Sequence, residues 1–317
     1  MADIKKVVDF DTPQQFKEMG EDVQNLAARL GMAQEKVAAM VAAAGQANIP
    51  KNQLIQFAEI AGKMGIAFDI SAEEAGESLA QIRTMYGMTI KDVTSLADAM
   101  NYLGNNSTAA ASKILNVMQR AGSLGKIAGF KPEEIAALGA TITGIGINPE
   151  EAATGIQNLS KALTGGYAVT KATVGAYKKL GLAVEKVKKS MAINAKGTLL
   201  DILTRISKLD PAEQTSTLID IFKGESLSSI APLLQNIPML RKNLGLIDSK
   251  SKYQGSMEKE ARARMGTTAY GVAGVKARGQ KLATDVGSLF LPDVGSGSKG
   301  IAGLLDSLDK FVQENPA

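Results

Sequence analysis

Glycine is followed directly by a large apolar residue at several places in this chain, and seven of these pairs limit what it can fold into. A helix often ends at a glycine in the left-handed conformation, and the apolar residue after it folds back onto the last turn. We therefore predict helix-ending turns at Gly31, Gly65, Gly87, Gly129, Gly146, Gly181 and Gly245. Their unequal spacing predicts many short helices rather than a repeat of fixed length.

Helix start signals follow several of these turns. A capping side chain, a proline at the first helical position and a Glu or Gln that reaches back are typical of a helix N-terminus. The predicted caps and first-turn prolines are Thr12 with Pro13, Ser71 with Glu74, Pro132 after Lys131, Asn148 with Pro149, and Asp210 with Pro211. Carboxylate pairs such as Glu73-Glu74 and Glu150-Glu151 lie in predicted first turns, where negative charge meets the positive end of the helix dipole.

Apolar residues between these marks recur at helical spacing, as in residues 23–30 and 199–209. Runs of alternating β-branched and aromatic residues do not occur, and aromatic residues make up 4% of the chain. We predict an all-α fold of many short helices joined by glycine turns, a bundle of helical hairpins without a substantial β-sheet.

The composition argues against most catalytic chemistry. The 317 residues include no His, Cys or Trp, which removes the commonest general base, all thiol chemistry and most transition-metal ligands. We predict no enzyme, no catalytic residue, no cofactor and no metal site. The uncharged run at residues 135–149, which no other run in the chain exceeds, is shorter than the ~20 apolar residues of a membrane span, so we expect no transmembrane helix.

Charge is distributed unevenly along the chain. Residues 1–160 contain 13 Lys and Arg against 18 Asp and Glu, a net charge of −5, and the other 157 contain 23 against 14, a net charge of +9. One of two basic clusters in the second half includes Lys178, Lys179, Lys188 and Lys189. We interpret these lysines either as a partner-contact patch or as a solvated helix surface. Direct nucleic-acid binding is not favoured, because few aromatic residues are interleaved for base stacking.

Four segments follow from these patterns. We predict an N-terminal lead at 1–11, a helical core at 12–246, a basic helical segment interrupted by Gly and Ser with a linker at 247–300, and a terminal helix at 301–317. We also expect the chain to be a fragment, or an excised core, of something longer.

The segment ALGATITGIGINPEEAATGIQNLSKALTGG at residues 137–166 resembles the core region of phage tail tape measure proteins. The succession of short helices at 26–88 is similar to that family as well. So are AYKKLGL at 176–182 and the segment at 197–236, in the same order and at similar spacing. The resemblance covers about three quarters of the chain, although the long heptad-rich helices and hydrophobic segments usual in the family are absent from it.

The resemblance implies a structural protein that sets tail length during assembly and occupies the lumen of the tail tube in the virion, after a period in the host cytoplasm. It also implies contacts with the tail tube protein, tail assembly chaperones and baseplate or tail-tip proteins, and it is compatible with self-association. Two other classes stay open: an all-α adaptor without catalysis, and a membrane-active helical protein. The lack of Trp and of a long apolar segment argues against the membrane-active class.

Overall fold

The protein was analysed as a computed structural model, which describes residues 1–165, 169–267 and 279. Within these residues every regular element is a helix, and the all-α prediction is confirmed. The first nine helices are α1 (Ala2–Val7), α2 (Pro13–Leu30), α3 (Gln34–Gln46), α4 (Leu54–Phe68), α5 (Ala72–Tyr86), α6 (Ile90–Asn106), α7 (Ala111–Ile127), α8 (Pro132–Gly144) and α9 (Pro149–Thr164). The others are α10 (Lys171–Lys179), α11 (Val184–Ile206), α12 (Pro211–Phe222), α13 (Leu227–Gln235), α14 (Ile237–Leu246), α15 (Lys250–Tyr253) and α16 (Ser256–Met265).

Five of the seven predicted glycine turns have the backbone conformation that the pattern indicates. These are Gly31, Gly87, Gly129, Gly146 and Gly181, with φ between 63° and 97°. At Gly87, for example, the N–H of Met88 donates to the carbonyl of Arg83 at 2.9 Å, which closes the end of α5. At these positions the local pattern of glycine and apolar follower therefore predicts the helix end correctly.

The predicted turns at Gly65 and Gly245 are wrong, because both glycines lie inside helices. Helix α4 continues past Gly65 because Ile66, Ala67 and Phe68 are buried and extend its apolar surface. It ends at Asp69 in the left-handed conformation, with φ 58°. The N–H of Ile70 then donates to the carbonyl of Gly65, so the closing turn forms one helical turn later than predicted.

The predicted helix starts lie at helix N-termini. Ser71 and Asn148 accept hydrogen bonds from the backbone N–H groups of Glu74 and Glu151 at 3.0 and 2.8 Å. Pro132, Pro149 and Pro211 each occupy the first turn of their helices. Asp210 is the N-cap residue of α12, but its side chain accepts no capping bond, so its expected capping role is not realised.

Small residues bring the central helices together. Helix α7 contacts α5, α6, α8 and α9, and α8 is buried from Glu134 to Thr143. Gly125 and Gly139 leave the space that Ile135 and Val117 occupy, since a β-carbon at Gly139 would lie 3.1 Å from Val117. Consecutive helices such as α7 and α8 pack against each other, as expected for helical hairpins.

Helix α16 packs against α4 and α6, close to the first third of the chain. Its residues belong to the segment 247–300 of the sequence-based division, and the boundaries of that division stay predictions. Residues 268–278 and 280–300 of that segment, and the predicted terminal helix at 301–317, lie outside the described residues.

Candidate functional site

In the structure, two of the four lysines of the predicted partner-contact patch form ion pairs within the described residues, and two do not. Lys179 on α10 forms an ion pair with Glu213 at 2.8 Å, and Lys188 on α11 forms one with Glu185 at 3.0 Å. Lys178 and Lys189 have no carboxylate within 4.0 Å among the described residues. The first two lysines therefore have partners within the chain, and the other two leave their charges on the surface.

Helix α10 presents one exposed side that combines charge and aliphatic surface. Lys171, Val174 and Lys178 are exposed and spaced three and four residues apart, which places them on one side of the helix. Thr173, Ala176 and Tyr177 are buried. Burial raises the pKa of the Tyr177 hydroxyl, so this phenol stays neutral in the core at physiological pH.

The first half of α11 repeats this arrangement with Lys186, Lys189 and Ile193, which are also exposed and on one side. Ile193 is 86% exposed. We refer to these exposed residues of α10 and α11, Lys171, Val174, Lys178, Lys186, Lys189 and Ile193, together as the basic face. Among the described residues, none of its four lysines takes part in an ion pair or a side-chain hydrogen bond.

A break in α11 accounts for the exposure of Ile193. Asn194 has φ −152° and ψ 78°, outside the helical region, and its side-chain oxygen accepts the N–H of Gly197 at 3.0 Å. Asn194 thus caps the second half of the helix. An apolar residue just before a cap usually packs on the residue four positions after the cap. That position holds the polar Thr198, which offers Ile193 little apolar surface.

Hydrogen bonds to neighbouring residues hold α10 and α11 in place. The hydroxyl of Thr173 donates to the carbonyl of Asp220 on α12 at 2.9 Å. Arg205 on α11 donates to the carbonyl of Leu180 at 2.9 Å and to both carboxylate oxygens of Asp201. A groove of about 420 Å³ runs along α11, and Lys186, Ile193 and Arg205 are among its lining residues.

The basic face combines positive charge with aliphatic side chains. In the part of the chain that the structure describes, no group of three acidic, His or Cys side chains is placed to hold a metal ion. No described helix combines the length and apolar character needed to cross a membrane. Lysines with aliphatic neighbours complement a surface that carries carboxylates and small apolar residues.

The sequence predicted the lysine cluster but not Val174 and Ile193, the two aliphatic residues of the basic face. The spacing of Val174 and Ile193 from neighbouring lysines was available as a signal, but which side of each helix is buried depends on its packing. It also missed Asp98, a buried carboxylate in the apolar stretch of α6. A charged residue at an otherwise apolar position was the signal there.

Comparison with known proteins places this chain among phage tail proteins. The profile of the family described as "Phage-related minor tail protein" matches residues 14–223, which include the whole basic face. A probable tape measure protein of Halomonas phage phiHAP-1 is 28% identical over 327 residues, covering 99% of this chain. The chain spans 38% of the length of that relative. No solved structure matches the chain. The chain belongs to the phage-related minor tail protein family and has a structural role in a phage tail.

Proposed function

We propose that this chain is part of a tape measure protein that sets tail length during assembly. The observation that carries the proposal is the alignment of 99% of the chain with the probable tape measure protein of Halomonas phage phiHAP-1. The fold supports it, because a bundle of short helices without metal-binding groups among its described residues is suited to a structural role.

The proposal also states where the chain is found and which proteins it contacts. The chain is present in the host cytoplasm during assembly and in the lumen of the tail tube in the virion. It contacts tail tube protein, tail assembly chaperones and baseplate or tail-tip proteins, and it acts without catalysis. Its membership of the minor tail protein family supports contacts with other tail components.

A folded module of this kind contributes little length by itself. The longest helix among the described residues, α11, has 23 residues and is broken at Asn194, so it spans at most ~35 Å at ~1.5 Å per residue. We propose that the module is compact when free and opens into a string of short helices inside the tube. Contacts through Gly and Ala favour opening, since they bury little apolar area per contact.

Deletion of residues 14–223 from the phage gene tests the tail-length role. If these residues contribute to tail length as helix, their deletion shortens tails by up to roughly 315 Å at ~1.5 Å per residue. Tail lengths are read from negatively stained particles, with the intact gene supplied from a plasmid as control. Shortened tails, or loss of tails, support the proposal, and tails of normal length overturn it.

An engineered disulfide tests the opening. The chain has no cysteine, so the double variant Ala43→Cys, Gly76→Cys contains one possible bridge, between α3 and α5. A β-carbon at Gly76 would lie 3.5 Å from that of Ala43, within the range for a disulfide. The purified variant is added to an extract from cells infected by a phage that lacks this gene. We expect tails from the reduced protein and few from the oxidised protein, and equal yields would contradict opening.

A further inference from the structure

We propose that the basic face of one copy docks onto the groove between α3 and α5 of a second copy, so that the chain associates head to tail. This inference goes beyond the tail-length role and does not depend on it, because it concerns only two surfaces of the module. It rests on exposed lysines that have no partner among the described residues, on a complementary groove, and on the separation of charge between the two parts of the chain.

The basic face has the properties of an uncovered interface. It contains four lysines without carboxylate partners among the described residues, and the two aliphatic residues Val174 and Ile193, which are 49% and 86% exposed. Ile219 on α12, which packs against α10, is a further exposed aliphatic residue at 41%. Exposed aliphatic residues surrounded by charge are typical of surfaces that bind a partner.

The groove between α3 and α5 complements the basic face with small apolar residues and a carboxylate. Its volume is about 590 Å³, and its lining includes Ala43, Ala47, Ala80 and Met85, with Glu77 at its edge. Alanine positions allow another helix to approach closely, as α10 or α11 would have to do.

Carboxylates on the exposed side of α5 complete this acidic groove. Glu73, Glu74 and Glu77 are all exposed, and none of them takes part in an ion pair within the described residues. They therefore offer negative charge, which complements the positive charge of the four lysines. No ion pair of the described structure joins these carboxylates to the basic face of the same copy.

The distribution of charge favours a second copy as the occupant. Residues 1–160 carry a net charge of −5, and residues 161–267 carry 18 Lys and Arg against 9 Asp and Glu, a net charge of +9. One chain thus provides both the acidic and the basic surface, on different helices. Because the two surfaces differ, the contact is heterologous, and repeated contacts build a ring or a filament.

Charge reversal of each surface tests this contact in the full 317-residue chain. One variant is Lys178→Glu with Lys189→Glu, and the other is Glu73→Lys with Glu77→Lys. Association is measured by sedimentation velocity over a concentration series at low ionic strength, where surface charges are least screened. We expect concentration-dependent association of the wild-type chain, and a weakening of at least tenfold in each variant alone.

Mixing the two charge-reversal variants provides the decisive test. In an equimolar mixture each reversed surface meets a surface of opposite charge, so association should recover to the wild-type level. Circular dichroism of each variant verifies that it is folded before mixing. Recovery on mixing supports the contact, because loss of structure in either variant cannot produce it.

A matched control separates this contact from a change of overall charge. The variant Lys91→Glu with Lys113→Glu alters the net charge by the same amount at exposed positions in the first turns of α6 and α7. It should associate like the wild-type chain. A wild-type chain that stays monomeric at every concentration, or a mixture that stays monomeric, would overturn the proposal. Equal weakening in the control variant would overturn it as well.

Discussion

The carboxylate of Asp98 on α6 accepts the backbone N–H of Met257 at 3.0 Å, and this bond ties the start of α16 to the first third of the chain. Its second oxygen accepts the N–H of Gly255 at 2.9 Å. Nearby, Asn101 donates to the hydroxyl of Ser256 at 2.8 Å. Asp98 therefore acts as a cap for α16 from a distant helix.

Replacing Asp98 with alanine should release α16. Two backbone N–H groups would lose their charged acceptor in a mostly buried setting, which costs about 1.5–3 kcal/mol. We expect that loss in the free energy of unfolding by urea, and faster hydrogen exchange in α16. The control is Asp22→Ala, at an exposed carboxylate of α2, which should change stability by less than about 0.5 kcal/mol. Unchanged exchange in α16 would show that Asp98 does not anchor it.

The ion pairs of Glu258 predict how acid affects this end of the molecule. Glu258 is bound by Lys63 on α4 at 2.5 Å and by Arg262 at 2.7 Å. Burial by itself raises the pKa of Glu258, but the bonds from Lys63 and Arg262 outweigh burial and bring it below its ordinary value of 4.5. The stability contributed by this carboxylate is therefore present above pH 4.5 and is lost as pH falls through the lowered pKa.

Comparison of the wild-type chain with Glu258→Gln measures this contribution. Burial alone lowers the pKa of Lys63, but its bonds to Glu258 and Glu59 raise it above 10.5, so Lys63 stays charged throughout the acid range. We expect the wild-type chain to be more stable than the variant to urea at pH 7. The difference should shrink below pH 4.5. A difference that does not depend on pH would assign the effect to packing rather than charge.

Two glycine-to-alanine substitutions should have opposite effects. A β-carbon at the buried Gly122 of α7 would overlap the hydroxyl of Tyr86, so Gly122→Ala should destabilise the fold by about 1–3 kcal/mol. Gly245 lies inside α14 with open space around it, so Gly245→Ala should stabilise it by about 0.5–1 kcal/mol. Thermal unfolding of both variants provides the measurement. Destabilisation by the second substitution would mean that Gly245 needs a conformation that alanine avoids.

Lys223, at the end of α12, has φ 71° and ψ 155°, a conformation that non-glycine residues rarely adopt. Lys223→Gly should therefore stabilise the chain by about 1 kcal/mol, measured by urea unfolding. Lys223→Ala is the matched control, because it removes the same side chain but keeps the β-carbon, and it should give no such gain. Equal stabilisation by both substitutions would locate the cost in the lysine side chain instead of the backbone.

Local signals in the sequence were sufficient for most of the secondary structure. Helix ends at Gly31 and Gly87 and helix starts at Ser71 and Asn148 depend on hydrogen bonds within about five residues, and a short stretch of sequence contains all the groups involved. The absence of alternating strand patterns predicted the all-α class for the same reason. The charge asymmetry and the lysine cluster could also be read directly, because they depend on residue identity alone.

Tertiary packing decided the rest. Gly65 and Gly245 carry the same local pattern as the true turns, and α4 passes Gly65 because the following turn is buried. The division of the lysines into paired and unpaired sets depends on Glu213, which is 34 residues from Lys179. The bonds from Asp98 to Gly255 and Met257 join residues more than 150 positions apart. Contacts at such separations follow from how helices pack in space, and no short stretch of sequence contains both partners.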